Sequence, residues 1–402
     1  MADRIFSSQR INTGRQPEVD LLKAFSIIMM IVTHCIDDLY TGYEVHTPFM
    51  IIDDILAQSI GAMGFMICMG IGIVYSRHAS PDLYVRRGIS LIMTGQLLNI
   101  FRYAIPDVIQ YAVTGDEAAR DHCMLTFSCD ILQFAGLFFI CMGLFSYLKL
   151  KSGHIFAISV ALNIIAMMLK LKINTGYYVA DQFFGMFVFT GTESYFPLFH
   201  WMIYPAFGMV LGDILCHVKN KDLFYGISLI PGVIIWAVYF YIGIAVDQHV
   251  LRFYNEWQSM AYVNIADVMF QLVCNFTMLC ICYFPVKILS PRVMKGVGFI
   301  SKNINRFYCV HSVIIYVIMT VIALTDWFVV NTPVCYASMV VVMALTVLLV
   351  WIYDEYGDPL RSFVASHRTA CYTLMVVLTV GACAFASLGY DYFPNINNGY
   401  GE

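Results

Sequence analysis

The sequence predicts an all-α integral membrane protein, a polytopic bundle of about 10–11 transmembrane helices with a cytoplasmic N-terminus. Of its 402 residues, 60% are hydrophobic and 12% charged, against roughly 45–50% and about 25% in an ordinary soluble domain. Mean hydropathy is +0.72. Apolar runs of about 20 residues, long enough to cross about 30 Å of hydrocarbon, recur between short polar turns. Every second turn is basic, as expected when Lys and Arg collect on the cytoplasmic side. The same composition excludes disorder, which needs low hydrophobicity and high net charge. With a formal net charge of −4, it also argues against a nucleic-acid partner, which would call for a basic surplus.

Taken in order, the apolar runs place about eleven spans near 21–40, 55–76, 88–105, 130–148, 154–171, 199–217, 223–246, 264–288, 304–325, 333–353 and 370–389. The basic side holds Arg4, Arg10, Arg15 and Lys23, then Arg77, Arg86 and Arg87, then Lys149 and Lys151, then Lys219 and Lys221. It continues with Lys287, Arg292, Lys295, Lys302 and Arg306 and ends with Arg361 and Arg368. That is 18 of the 23 Lys and Arg residues, so the N-terminus is expected inside and, after eleven spans, the C-terminus outside. The expected organisation is a cytoplasmic tail over 1–20, a transmembrane domain over 21–390 and a tail over 391–402, with no soluble domain. Residues 1–20 are polar and lead into an apolar run with no small-residue cleavage site, the pattern of a retained anchor. Most of the 13 cysteines fall inside apolar runs and act as small hydrophobes. Cys123 and Cys129 lie in an outer polar segment, where a disulfide between them is open. There is no Cys or Cys/His pattern with zinc spacing, and no metal is predicted.

The first span, DLLKAFSIIMMIVTHCIDDLY, carries Asp20, Lys23, His34, Asp37 and Asp38. Ionisable residues within a span normally face a bundle interior or a water-filled cavity. Lys23 and His34 are eleven residues apart, which returns to within about 20° of one helix face, roughly 16 Å further along the axis. Asp37 and Asp38 follow His34 by three and four residues, so either can reach the imidazole, fix its tautomer and raise its basicity. The bland alternative is a snorkelling Lys23 and an interfacial polar cap around His34. His46, Asp53 and Asp54 come next and could join an acid–base cluster near the outer surface, or Asp53 could simply complement a helix dipole. Gly61, Gly64, Gly70 and Gly72 line the second span, chiefly for close helix packing. Arg77, Arg86 and Arg87 then offer guanidinium groups suited to phosphate. Further along, Arg102 and Glu193 on the outer side could pair or contact an acceptor, while Asp130 and Gln133 could be interhelical glue, and His311 is as readily a buried neutral histidine as a functional one.

On these residues the chain resembles the transmembrane acyltransferase superfamily, which includes the acyltransferase family 3 proteins and the heparan-α-glucosaminide N-acetyltransferase branch. The opening motif of that superfamily corresponds to Arg15, Val19, Asp20, Lys23 and His34. GAMGFMICMGIGIVYS and YVRRG resemble the glycine run and basic loop of the glucosaminide branch, and GFISKNINRFYCVHSVIIY a late family segment. The likeness is good over residues 15–105, thinner over 130–215 and architectural afterwards. Lys23 stands where the family usually has Arg, which keeps the charge and loses the bidentate fork. The glucosaminide branch usually has Asn where this chain has His34 and a His further out, to which His46 is nearest; the choice of histidine stays open.

The resemblance implies an acyl-CoA, most simply acetyl-CoA, entering from the cytoplasm with its phosphates on Arg15, Lys23, Arg86 and Arg87. His34, or His46, assisted by Asp38 or Asp37, would act as general base on an extracytoplasmic carbohydrate or other hydroxyl or amine acceptor, with Asp53, Arg102 and Glu193 on the acceptor side. The implied partners are acyl-CoA, an extracytoplasmic glycan or small polar acceptor and the lipid bilayer, with no nucleic acid; a homodimer is left open. The role would be cell-envelope polysaccharide modification, in the plasma (inner) membrane if the cell is bacterial. The rival reading from another class is a proton-coupled secondary transporter or exporter, against which stand the missing repeat and the missing pair of broken helices.

Overall fold

A computed structural model describes residues 2–40, 47–77, 79–192, 194–246, 265–325 and 331–388. Among these the chain is helical, with only isolated bridges such as Cys129 to Ser194 in place of strands. Helix α1 (Pro17–Leu39) starts with proline, whose missing N–H would have been unpaired there in any case. α2 (Pro48–Ser59) is capped by the Thr47 hydroxyl and is followed by α3 (Gly61–Tyr75). α4 (Pro81–Asn99), capped by Ser80, runs through a π-helical turn at Ile100–Ala104 into α5 (Ile105–Thr114). Then come α6 (Ile131–Tyr147), α7 (Ser152–Leu169), α8 (Ile203–His217), α9 (Lys221–Val246), α10 (Ile265–Val286) and α11 (Pro291–Lys302). The remaining helices are α12 (Ile304–Thr325), α13 (Thr332–Tyr356), α14 (Asp358–Ser366) and α15 (Arg368–Ser387).

Among the described residues nine helices are long and apolar enough to cross a membrane, which makes this a polytopic helical membrane protein. The two other expected spans, 88–105 and 130–148, are helical as well but fall short of that test. α6 has 17 residues, and the α4–α5 rod carries Asp82, Arg86, Arg87 and Arg102. These two helices pack on each other through glycine: a Cβ on Gly88 would lie 2.5 Å from the Gly136 carbonyl oxygen, and one on Gly136 2.6 Å from that of Gly88. A second close crossing joins α3 to α8, where a Cβ on Gly70 or Gly208 would overlap the Pro205 or Ile67 carbonyl. Gly64 is also tightly packed, whereas Gly61 and Gly72 face open space, so the glycine run of the second span serves more than packing.

The expected second span, 55–76, is bent. At Ile60 the backbone leaves helical geometry (φ −125°, ψ −54°), and Asn275 of α10 donates to the Ser59 carbonyl at 2.9 Å, satisfying an acceptor that the bend frees.

The loops also sort by end. Ser7 N–H donates to His217 O, Lys219 N–H to Ile5 O and Ser301 to Asp20, so three segments expected on the basic side do meet. At the opposite end Tyr40 contacts Thr332, Thr47 contacts Tyr336, and Tyr195 N–H donates to Cys129 O. α1 touches α2, α3, α10, α11, α12 and α13, and is the centre of the bundle.

The disulfide left open between Cys123 and Cys129 is not formed: all 13 cysteines are free thiols. Cys123 donates to Ala119 O at 3.7 Å and Cys129 to Phe196 O at 3.8 Å, two separate burials that hold the sulfurs on different neighbours. Burial pushes the Cys123 thiol up to about 12, which keeps it protonated.

Candidate active site

His34 sits three-quarters of the way along α1, where the helix passes α12. Its Nδ1 lies 3.0 Å from Nε2 of His311, and Nδ1 of His311 lies 2.8 Å from the Phe307 carbonyl oxygen. A carbonyl only accepts, so His311 carries its proton on Nδ1 and presents a bare Nε2 when neutral. That lone pair takes the Nδ1 proton of His34, which leaves His34 Nε2 without a proton. The backbone of α12 thereby sets the tautomer of a residue on α1. Sequence spacing pointed to Asp37 or Asp38 as the group that orients His34; Nδ1 is held by His311, and both carboxylates line the same cavity.

His34 lines a partly open cavity of about 270 Å³ together with Asp37, Asp38 and Arg102. Arg102 comes from the π-helical turn, where one extra residue per turn redirects its side chain inward; such turns are frequent at functional sites. The sequence left open a pairing with Glu193, which lies outside the described residues; Arg102 pairs with Asp130 at 2.7 Å, with side-chain exposures of 6% and 8%. Asp130 also accepts from Tyr308 OH at 2.7 Å and from its own helix at Ile131 N–H, at 2.6 Å. Gln133 completes a capping box with Asp130, so the carboxylate that anchors Arg102 also starts α6. The Arg102 guanidinium stacks on Tyr103 at 4.4 Å. A buried ion pair of this kind holds only when its remaining lone pairs and protons are met, and here Tyr308 and the α6 N-terminus meet those of Asp130.

Asp53 is buried on α2, with Oδ2 at 3.1 Å from the hydroxyl of Thr33, a residue that itself lines the cavity. His46 and Glu193 lie outside the described residues. At the basic end, Lys23 is half-buried on the His34 face of α1, and Arg15 pairs with Asp20 at 2.5 Å. Arg86 and Arg87 are on the first turns of α4, Arg86 sharing a groove with Arg77. Thus the structure gathers His34, Asp37, Asp38 and Arg102 with Asp53 behind them, and leaves the basic residues apart from that cluster. Sequence reasoning did not select His311, Asp130 or Tyr308 as site residues, although His311 had been open to a functional role and the D-x-x-Q pattern at Asp130 was readable as a cap.

Among the described residues no group of three or more His, Cys, Asp or Glu side chains could hold a metal.

Residues 15–255 match the family described as heparan-alpha-glucosaminide N-acetyltransferase, catalytic, and the chain belongs to that family. No curated protein and no solved structure matches it. The matched stretch contains His34, Asp38, Arg102 and Asp130, and stops before Tyr308 and His311.

Proposed function

We propose that this protein is a membrane acyltransferase that moves an acyl group, acetyl in the simplest case, from cytoplasmic acyl-CoA to a hydroxyl or amine of an extracytoplasmic carbohydrate or related polar acceptor. The observation that carries the reading is the His311–His34 relay, which leaves His34 Nε2 bare at the cavity. His34 takes the acceptor proton as the acceptor's lone pair attacks the thioester carbonyl. The C–S bond then breaks with its electron pair on sulfur, and the proton leaves with the CoA thiol. Asp38 stabilises the imidazolium that forms, and a base so placed contributes typically about 10²–10⁴-fold.

Lys23, with Arg86 and Arg87, would take the CoA phosphates, because these cations make no hydrogen bond or ion pair with a described residue and are open to an anion. Lys23 to His34 is roughly 16 Å by helix rise, a length that a pantetheine arm spans. Membership of an N-acetyltransferase family supports the donor and the sugar class of acceptor. The setting would be the cell envelope, with envelope polysaccharide as the product's destination.

The test is acetyl transfer from acetyl-CoA, with glucosamine as the acceptor probe, in detergent-purified wild type, His34→Ala and His46→Ala. Loss of transfer with His34→Ala alone is the expected result, with unchanged thermal unfolding showing that the fold persists. Full activity of His34→Ala overturns the assignment of the base, and loss with His46→Ala alone moves it outward.

A further inference from the structure

The cavity beside His34 is lined by the charged and hydroxyl groups described above and by apolar residues, among them Met30 of α1 with Ala57, Gly61 and Ala62 at the bend between α2 and α3. Gly61 is buried, lines the cavity, and a Cβ placed on it would meet no atom within 4 Å. The room that any other side chain would take there is therefore part of the cavity. Met30 precedes His34 by one helical turn, about 6 Å toward the basic end. The apolar residues thus adjoin the base in one cavity, within reach of an acyl chain whose carbonyl stands at His34.

Volume argues in the same direction. An acetyl group needs roughly the space of two waters, about 60 Å³, and an apolar cavity of about 150 Å³ is enough for benzene. About 270 Å³ is available here. A second, independent observation marks the cavity as a ligand site. Arg102 is 5% exposed, lines it, and has an Nε with no hydrogen-bond partner among the described residues. A buried guanidinium N–H left unpaired is costly, and a thioester carbonyl oxygen is an acceptor of the kind it lacks.

Resting on the acyl-CoA reading above, we infer that the apolar lining of Met30, Ala57, Gly61 and Ala62 is an acyl pocket that takes chains longer than acetyl, of about four carbons, with butyryl as the representative. Transfer follows the same balance. The acceptor's lone pair forms the new bond to the butyryl carbonyl, the C–S bond breaks onto sulfur, and the acceptor proton passes through His34 to the CoA thiol. The absence of a side chain at Gly61 sets the pocket's depth, since a Cβ there would enter open space and meet no neighbour.

The experiment measures dissociation constants of CoA, acetyl-CoA and butyryl-CoA for the detergent-purified full chain, in wild type, Gly61→Ala and Gly61→Val. Butyryl-CoA should bind wild type about fifteenfold more tightly than acetyl-CoA, because two further methylenes are buried at about fourfold each. Gly61→Ala should narrow that ratio and Gly61→Val should bring it to about one. Equal binding of the two donors by wild type overturns the pocket, and so does a ratio that survives both substitutions. If Gly61→Val does not fold, the wild-type ratio and Gly61→Ala still decide. Failure of all three ligands to bind, CoA included, overturns instead the acyl-CoA reading on which the pocket rests.

Discussion

Around His34, side chains from α1, α6, α12 and the π-helical turn hold one another: His311 on Phe307, His34 on His311, Arg102 on Asp130, Tyr308 on Asp130. Eleven residues earlier on the same helix, Lys23 makes no hydrogen bond or ion pair with a described residue, and neither do Arg77, Arg86 and Arg87. The contrast extends to the backbone beside Lys23. Glu18, 1% exposed, is fixed by Lys221 at 2.6 Å and Tyr225 at 3.0 Å, so the start of α1 is anchored while the cation one turn on is left available. A preorganised site must meet its polar groups internally, since little water reaches them. A docking site for a charged, mobile ligand has to leave its cations unpaired, and headgroups and water solvate them in the meantime.

The most severe way to break the built end is Arg102→Gln. It leaves Asp130 buried opposite an uncharged partner, and the loss of stability should be about 3–5 kcal/mol, read as a fall in unfolding temperature. The matched substitution Asp130→Asn in the same chain should recover much of that loss, because both charges are then gone; a double variant no better than Arg102→Gln would mean that the pair is not the unit of stability.

His311→Phe sharpens the comparison by removing only the acceptor at His34 Nδ1. The ring volume stays, the tautomer is no longer set, and kcat should drop about 10²-fold with KM little changed. His311→Gln, whose carbonyl can accept the same proton, should regain part of the rate; identical behaviour of the two variants would reduce His311 to packing.

Gly88→Val tests whether the short α4–α6 pair supports the site. Its methyls meet the Gly136 carbonyl and Ile140, and overpacking of this kind costs typically about 1–3 kcal/mol. Thermal unfolding should shift accordingly, and an unshifted transition would mean that the two helices separate easily.

The gentlest change is Lys23→Ala at the open end. Acetyl-CoA stabilises the fold only through binding, so its thermal-shift titration should move to about tenfold higher concentration, the effect of losing about 1.4 kcal/mol of phosphate attraction. An unmoved titration would take Lys23 out of the donor site, and the groove of Arg77 and Arg86 would be the next place to look.

Much of this was readable in the residues. Every expected span coincides with helix, three of the basic segments meet at one end, and His34, Asp37, Asp38 and Arg102 reach one cavity. Partners are where the reading fell short: a carboxylate was expected to orient His34, whereas His311 holds its Nδ1, and Asp130, read as interhelical glue, pairs with Arg102. Both true partners are far off in sequence, 28 and 277 residues away, beyond the i+3 and i+4 reach that helical spacing can address.

The sequence by itself determined the class of fold, because hydrocarbon admits only long apolar helices, and its basic loops set the expectation of which end faces inward. It also determined, through the 15–255 match, the family. Only the tertiary structure decided that α12, beyond the matched stretch, supplies the second histidine, that a π-helical turn aims Arg102 inward, and that the missing side chain of Gly61 is cavity and not contact. Those are facts of helix register and crossing, fixed by which carbonyl meets which ring when the bundle closes.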